Sequence, residues 1–340
     1  MLSLDQRHPM ARTYRPALAP LFAFAVALVL GACGSDESPL APATPPVSAE
    51  AAAPIESEAP SLDLVTTGQR LLFTSSRKGG FDIFRMDTRG YGVTQLTSFG
   101  WYGSEPSWSS DNKRIALVRP RKDAANVEHA DIFLMNADGT NKHWARSTPS
   151  TFNIRFPSWS SDGVHLAVAV FIGGKPYLAT MNVTNGSMAF VTLGGKVIPG
   201  NYPSYDPTGK KILYVDDTGK IIKMIDPVSD VAYWMVPSQY LMSSPRYSPD
   251  GTKIAFARVV GSNIDIYVRT LIPYTATDKR LTFHAASDGA PTWSPDGSRI
   301  AFESSRSGTS QIWVMNAATG GSLTRITQTT TQEKYPAWSH

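Results

Sequence analysis

Between residues 69 and 340 the apolar residues come as short, nearly continuous runs rather than as an alternating pattern. Such runs occupy 115–118, 166–170, 212–215, 254–257 and 300–302. A strand covered on only one face alternates, whereas a strand covered on both faces is apolar throughout, so these runs predict doubly buried strands. Each follows a tight-turn signal. Two of the turns are full Ser-Pro-Asp-Gly sequences, at 248–251 and 294–297, and Asp162-Gly163, Asp111-Asn112 and Thr208-Gly209 are variants. Asp-Gly marks a hairpin because glycine adopts positive φ without steric cost. Upstream of every turn stands a proline two residues before an aromatic: Pro106/Trp108, Pro157/Trp159, Pro203/Tyr205, Pro245/Tyr247, Pro291/Trp293 and Pro336/Trp338. The aromatics are spaced by 51, 46, 42, 46 and 45 residues.

A period near 45 residues, containing four short strands, is that of one propeller blade. Third strands are expected at 131–135, 265–268 and 311–315, and fourth strands ending in Leu281-Thr282 and Ile326-Thr327. After the sixth anchor only Ser339-His340 remain, while three strand-like segments (70–76, 82–86 and 95–97) precede the first anchor. The prediction is an all-β, six-bladed β-propeller with four antiparallel strands per blade. Its last segment becomes the innermost strand of a blade whose other three strands come from the N-terminal side. Closure of this kind removes the strand edges that invite aggregation.

The repeat resembles the TolB-type propeller repeat, a WD-like motif also found in the propeller domains of prolyl-oligopeptidase-like and tricorn-like proteases. Pro291-Thr-Trp293-Ser-Pro-Asp-Gly297 followed by Arg299-Ile-Ala-Phe302 carries the resemblance most fully, and Tyr205-Asp206-Pro207 departs furthest from it. The resemblance covers the propeller and not the α/β domain that precedes it in TolB. The TolB role, as a periplasmic partner of a peptidoglycan-associated lipoprotein, would therefore rest on fold analogy.

The first 68 residues differ from the rest. Arg7, Arg12 and Arg15 precede an apolar run over 17–30, which ends in Leu30-Gly31-Ala32-Cys33. A basic start, a run of about 14 apolar residues and small residues before a cleavage point mark residues 1–32 as a signal peptide. The ending resembles the lipobox of bacterial lipoproteins, which implies cleavage before Cys33 and its lipidation. As this is the chain's one cysteine, an internal disulfide is excluded. Gly34 follows it instead of the Asp that, in lipoproteins, favours inner-membrane retention. The expected address is thus the outer membrane facing the periplasm, with the cell surface as the alternative. Residues 33–68 contain six prolines, no Lys or Arg and six acidic side chains. That composition predicts a disordered tether.

Composition sets limits on the remainder. Hydrophobic residues make up 42% of the chain, enough for a core. The overall charge of +4 averages unlike segments, and the propeller alone is near +8. Outside the cytoplasm that excess points to an anionic glycan or a cell-envelope protein, and no nucleic acid is expected. The head is expected to be monomeric.

No Gly-x-Ser-x-Gly, His-Glu-x-x-His or phosphate-loop motif occurs. The anchor aromatics read as wedges between blades, and the Ser-Pro-Asp-Gly carboxylates as turn formers. The channel should be lined by small hydroxyls flanking each aromatic: Ser107 and Ser109, Ser158 and Ser160, Thr292 and Ser294. Asp206 and Arg246 break that rule, either as an ion pair or as a ligand contact.

Loops joining a fourth strand to the next inner strand converge on one mouth of the channel. They supply Trp101, Tyr102, Glu105, Phe152, Arg155, Phe156, Tyr202, Tyr240, His284, Asp288, Glu333, Lys334 and Tyr335. Aromatics mixed with Arg are typical of interface hot spots. The expected function is therefore a membrane-anchored, non-catalytic module that binds a protein or envelope polymer at this mouth. The alternative is a glycan-processing enzyme, of lyase or lactonase type, with acid–base chemistry from His284, Asp288 and Glu105. No cofactor is expected, and calcium at Glu105, Asp288 or Glu333 has no spacing rule behind it.

Overall fold

The computed structural model describes residues 68–100, 105–147, 151–272 and 274–340, with no side-chain description for 274–276. The signal peptide, Cys33, the tether, Trp101 and Tyr102 lie outside the described residues. Thr66–His340 form one compact unit, and its described residues build six four-stranded antiparallel sheets and one two-stranded hairpin. Each sheet is a blade whose inner strand carries the Pro-x-aromatic anchor. The inner strands are Glu333–Trp338, Ser107–Trp108, Asn153–Trp159, Gly200–Tyr205, Met242–Tyr247 and Asp288–Trp293.

The ring closes as the sequence pattern requires. Glu333–Trp338 pairs antiparallel with Arg70–Ser75, with Leu71 opposite Trp338 and Ser75 opposite Glu333. The blade is completed by Asp82–Asp87 and Thr94–Gln95. The second strands are the deepest elements. Ile115, Leu117, Leu166, Val168, Ile212, Leu213, Ile254, Phe256, Ile300 and Phe302 have no solvent exposure. Each core cluster mixes side chains of adjacent blades, so a blade's apolar faces are covered by its neighbours.

Three repeated contacts stitch the blades. The anchor indoles donate across the seam to the preceding inner strand: Trp108 to the Ala337 carbonyl (3.2 Å), Trp159 to Ser107 (3.2 Å) and Trp293 to Arg246 (3.1 Å). The aromatics are thus wedges, as their recurrence predicts. Near the rim, Gly90 and Gly320 turn with φ near 90° and 77°. An added Cβ there would lie 2.4 Å from the Ile326 carbonyl oxygen and 2.3 Å from that of Leu281. Only glycine meets both demands.

In three blades the Leu-Thr or Ile-Thr ending locks the fourth strand. The Thr97 hydroxyl accepts the Ile83 amide (2.9 Å) and donates to buried Asp82 (2.8 Å). Thr282 accepts the Ile266 amide and Thr327 the Ile312 amide in the same manner. The Ser-Pro-Asp-Gly carboxylates hold their own turns. Asp250 receives the Ser248 hydroxyl (2.5 Å) and the Thr252 amide (3.0 Å), and Asp296 repeats both contacts.

The inner strands carry one feature that the pattern does not announce. In five of them the residue just before the anchor proline is left-handed: Phe156 (57°), Tyr202 (52°), Ser244 (52°), Ala290 (47°) and Tyr335 (50°). The register with the second strand slips at this point in all five. A left-handed non-glycine residue costs on the order of 1–2 kcal/mol. The bulge re-aims side chains at the channel wall, and proline beside it forfeits no ladder bond because this edge faces the channel.

Trp338 belongs to the closing strand, is 4% exposed and donates its indole N–H to Gln69 (3.3 Å). Trp338→Ala should cost about 3–5 kcal/mol in chemical denaturation. Removing residues 333–340 should leave Arg70–Ser75 as an open edge and produce concentration-dependent aggregation, read by light scattering.

Candidate functional site

The mouth formed by the fourth-to-inner-strand loops is built around a buried ion pair. Glu105, immediately before the anchor Pro106, is 6% exposed and pairs with Arg155 of the next blade. Its second oxygen accepts the Phe156 amide (2.9 Å). The Arg155 guanidinium also lies 4.9 Å from the Phe156 ring centre, and that ring packs at 4.4 Å against Tyr202 of the following blade. Burial pushes the Glu105 carboxyl up, against the opposing pull of Arg155 and the Phe156 amide.

Tyr335 and Tyr202 face the same cluster. Burial and the nearby carboxylates raise the phenols of both, with Glu303 and Glu105 contributing at Tyr335. Glu303, on the second strand Arg299–Ser307, accepts the Tyr335 amide (3.0 Å) and, among the described residues, forms no ion pair. Burial raises its carboxyl above the usual range. Sequence reasoning missed this residue. The available signal was a lone acid after Phe302, where the corresponding strands carry Thr74, Ala169, Val215 and Ala257.

The other acids expected at the mouth are neutralised by their own cations. Asp288 is fully buried and pairs with Arg306 at 2.8 Å. Glu333, also fully buried, pairs with Arg77 at 3.1 Å and accepts the Thr329 and Thr331 hydroxyls. His284 is exposed, and its Nδ1 accepts the Ala286 amide (3.0 Å). Among the described residues no hydrogen bond or ion pair joins His284 to Asp288 or Glu105. Nor do three or more His, Cys, Asp or Glu side chains converge there as a metal site. Phe152 and Tyr240 are each 38% exposed, and the Lys334 ammonium lies over the Phe81 ring.

The opposite end of the channel is a cavity of about 300 Å³ beside the inner-to-second-strand turns. Ser107, Ser158, Ser204, Arg246 and Thr292, each one residue after an anchor proline, line it. The channel position is therefore only one of the two flanking each aromatic. Ser109 and Ser294 are buried and donate to the turn carboxylates of Asp111 and Asp296, and Ser160 is buried at the next turn. The expected Asp206–Arg246 pair does not form. Asp206 holds its own turn through the Thr208 hydroxyl (2.7 Å) and the Lys210 and Lys211 amides (2.9 Å each). Arg246 instead senses Glu105.

Comparison with known proteins agrees with this architecture. Residues 230–340 match the TolB beta propeller domain family, PD40. A TolB homologue from Chlorobium chlorochromatii (strain CaD3) is 30% identical over 126 residues, which is 37% of this chain and 28% of that protein. The match thus spans less than a third of the relative's length. The crystal structure of TolB from Acinetobacter baumannii superposes with a TM-score of 0.66 at 19% identity, covering 79% of this chain and 66% of that one. A putative TolB from Agrobacterium tumefaciens gives 0.60 at 19% identity, covering 76% and 89%. At these identities the structural likeness concerns the fold. With six closed sheets, the repeated anchors and the match over the last blades, the globular unit of this chain is a TolB-like six-bladed β-propeller.

Proposed function

We propose that this propeller is a non-catalytic binding module of the bacterial envelope. Cys33 is its lipid anchor, residues 33–68 are its tether, and the outer membrane facing the periplasm is its address. It docks a protein partner on the mouth of fourth-to-inner-strand loops. The TolB-like fold supports a binding role of this kind, and TolB relatives are envelope-associated. The observation that carries the reading is how the mouth spends its charges. Glu105, Asp288 and Glu333 are each held by an arginine, which leaves aromatic surface for contact and takes these acids out of acid–base chemistry. A lyase or lactonase needs a general base poised near the working pH and within reach of substrate, and His284 has neither acid beside it.

Glu303 fits the same reading. Burial disfavours its carboxylate, with only the Tyr335 amide and the charge of Lys334 pulling the other way, and such costs persist where binding benefits from them. A cation on the partner would relieve it.

Two outcomes test this. Phe152→Ala and Tyr240→Ala should reduce capture of the crosslinked envelope partner by roughly tenfold or more. Their melting temperatures should stay close to the parent's, as for other surface changes. Tyr202→Ala should lower both, because its ring packs on the core. Turnover of any polysaccharide or lactone that is lost in His284→Ala would overturn the proposal.

Glu303→Gln tests the electrostatics. With its carboxyl raised in the folded state, the folded protein binds more protons than the unfolded chain. The contribution of this group to stability is fully present below the usual glutamate range and is lost as pH rises through its elevated folded-state value. The amide should flatten that fall and raise the melting temperature at pH 7.5 by roughly 2–4 °C, while weakening partner capture. A lower melting temperature would make Glu303 a structural anchor of Tyr335.

A further inference from the structure

The channel arginines are not alike. Arg77, Arg155 and Arg306 each hold a carboxylate. Among the described residues Arg246 forms no ion pair, and its one hydrogen bond goes from Nη1 to the adjacent Pro245 carbonyl (3.0 Å). Asp206, the neighbouring acid on the cavity wall, is committed to its own turn. Four of the five guanidinium N–H groups therefore have no protein acceptor. Arg246 is half-buried and lines the cavity, so these N–H groups open onto the channel, where a ligand can complete their shell.

The surroundings suit an oxyanion. The positions level with Arg246 on other blades are Ser107, Ser158, Ser204, Thr292 and Ala337, four of them hydroxyls. Ser158 Oγ already accepts the Tyr205 amide (3.1 Å) and Thr292 Oγ1 the Trp338 amide (3.4 Å). With an acceptor site of each hydroxyl filled by protein, its proton remains to donate. Ser158 and Thr292 thus present O–H donors beside one planar guanidinium, which matches a carboxylate bidentately, while the Ser204 hydroxyl turns to the Tyr205 carbonyl (3.5 Å).

Charge and size narrow the ligand. Among the described lining residues Arg246 is the one Lys or Arg, and the Asp206 carboxylate shares the wall, which disfavours a second negative charge. About 300 Å³ sits at the lower end of small-molecule pockets. We propose that Arg246 and the inner-strand hydroxyls form a site for the carboxylate of a small organic monoanion, entered from the turn-side mouth. The site is separate from the loop mouth and stands or falls independently of partner docking.

The test uses the whole protein at fixed ionic strength, with sodium acetate, sodium lactate or sodium phosphate replacing sodium chloride. Calorimetric titration and melting temperature are read together. Acetate or lactate should bind and raise the melting temperature, and phosphate dianion should do neither. Arg246→Gln should abolish the carboxylate effect while folding at least as stably as the parent without ligand. Arg246→Lys, which keeps the charge but loses the fork, should bind on the order of tenfold to a hundredfold more weakly. Absence of any carboxylate effect, equal binding of phosphate, or undiminished binding in either variant would each overturn the assignment. So would a large loss of stability in Arg246→Gln, since the guanidinium would then be a structural element.

Discussion

Every blade depends on being sandwiched. The second strands, from Ile115 to Phe302, are apolar on both faces, and a four-stranded sheet by itself covers neither. Burial is supplied only by the blades on either side. The requirement passes around the circle until the sheet formed from Arg70–Ser75 and Glu333–Trp338 satisfies the last pair. Stability is thus a property of the closed ring more than of any repeat. The indole bonds to the preceding inner strand and the glycine turns pressed against neighbouring carbonyls set the spacing at which that mutual burial works.

Much of this was legible before any coordinates. The near-45-residue period, the continuous apolar runs and the displaced strands at the two ends come from side-chain patterning, and patterning reports which faces are buried. The Leu-Thr endings were visible as a repeat, although their mechanism, a hydroxyl serving both a third-strand amide and a buried acid, needed geometry. The left-handed residues before the anchor prolines left no trace, because Phe, Tyr, Ser and Ala share no property that announces positive φ. The channel was half legible. The hydroxyl one residue after each proline faces it, while Ser109 and Ser294 serve turns. Asp206 looked like a partner for Arg246 because both interrupt a small-residue pattern, yet its turn claims the carboxylate first. Glu303 is hidden because it interrupts an otherwise apolar second strand, whose pattern reports burial and not charge.

The two ends of the channel use charge in opposite ways. At the loop mouth, acids from one strand meet arginines from another and cancel, leaving aromatic rings as the accessible chemistry. At the turn end, a cation shares the wall with uncharged hydroxyls and with an acid, Asp206, committed to its own turn. Glu105 links the halves, bonded to Arg155 on one side and felt by Arg246 on the other.

The backbone kink ahead of each anchor proline separates frame from vocabulary. Its conformational cost is levied on the main chain, whichever unbranched side chain happens to occupy it, and the proline and aromatic that follow keep the sheet in place. Residues as different as Ser244, Ala290 and Tyr335 occupy equivalent sites without disturbing the blade. Lineages sharing this toroid can therefore rewrite what the opening recognises, one blade at a time, with no change to the architecture that holds it open.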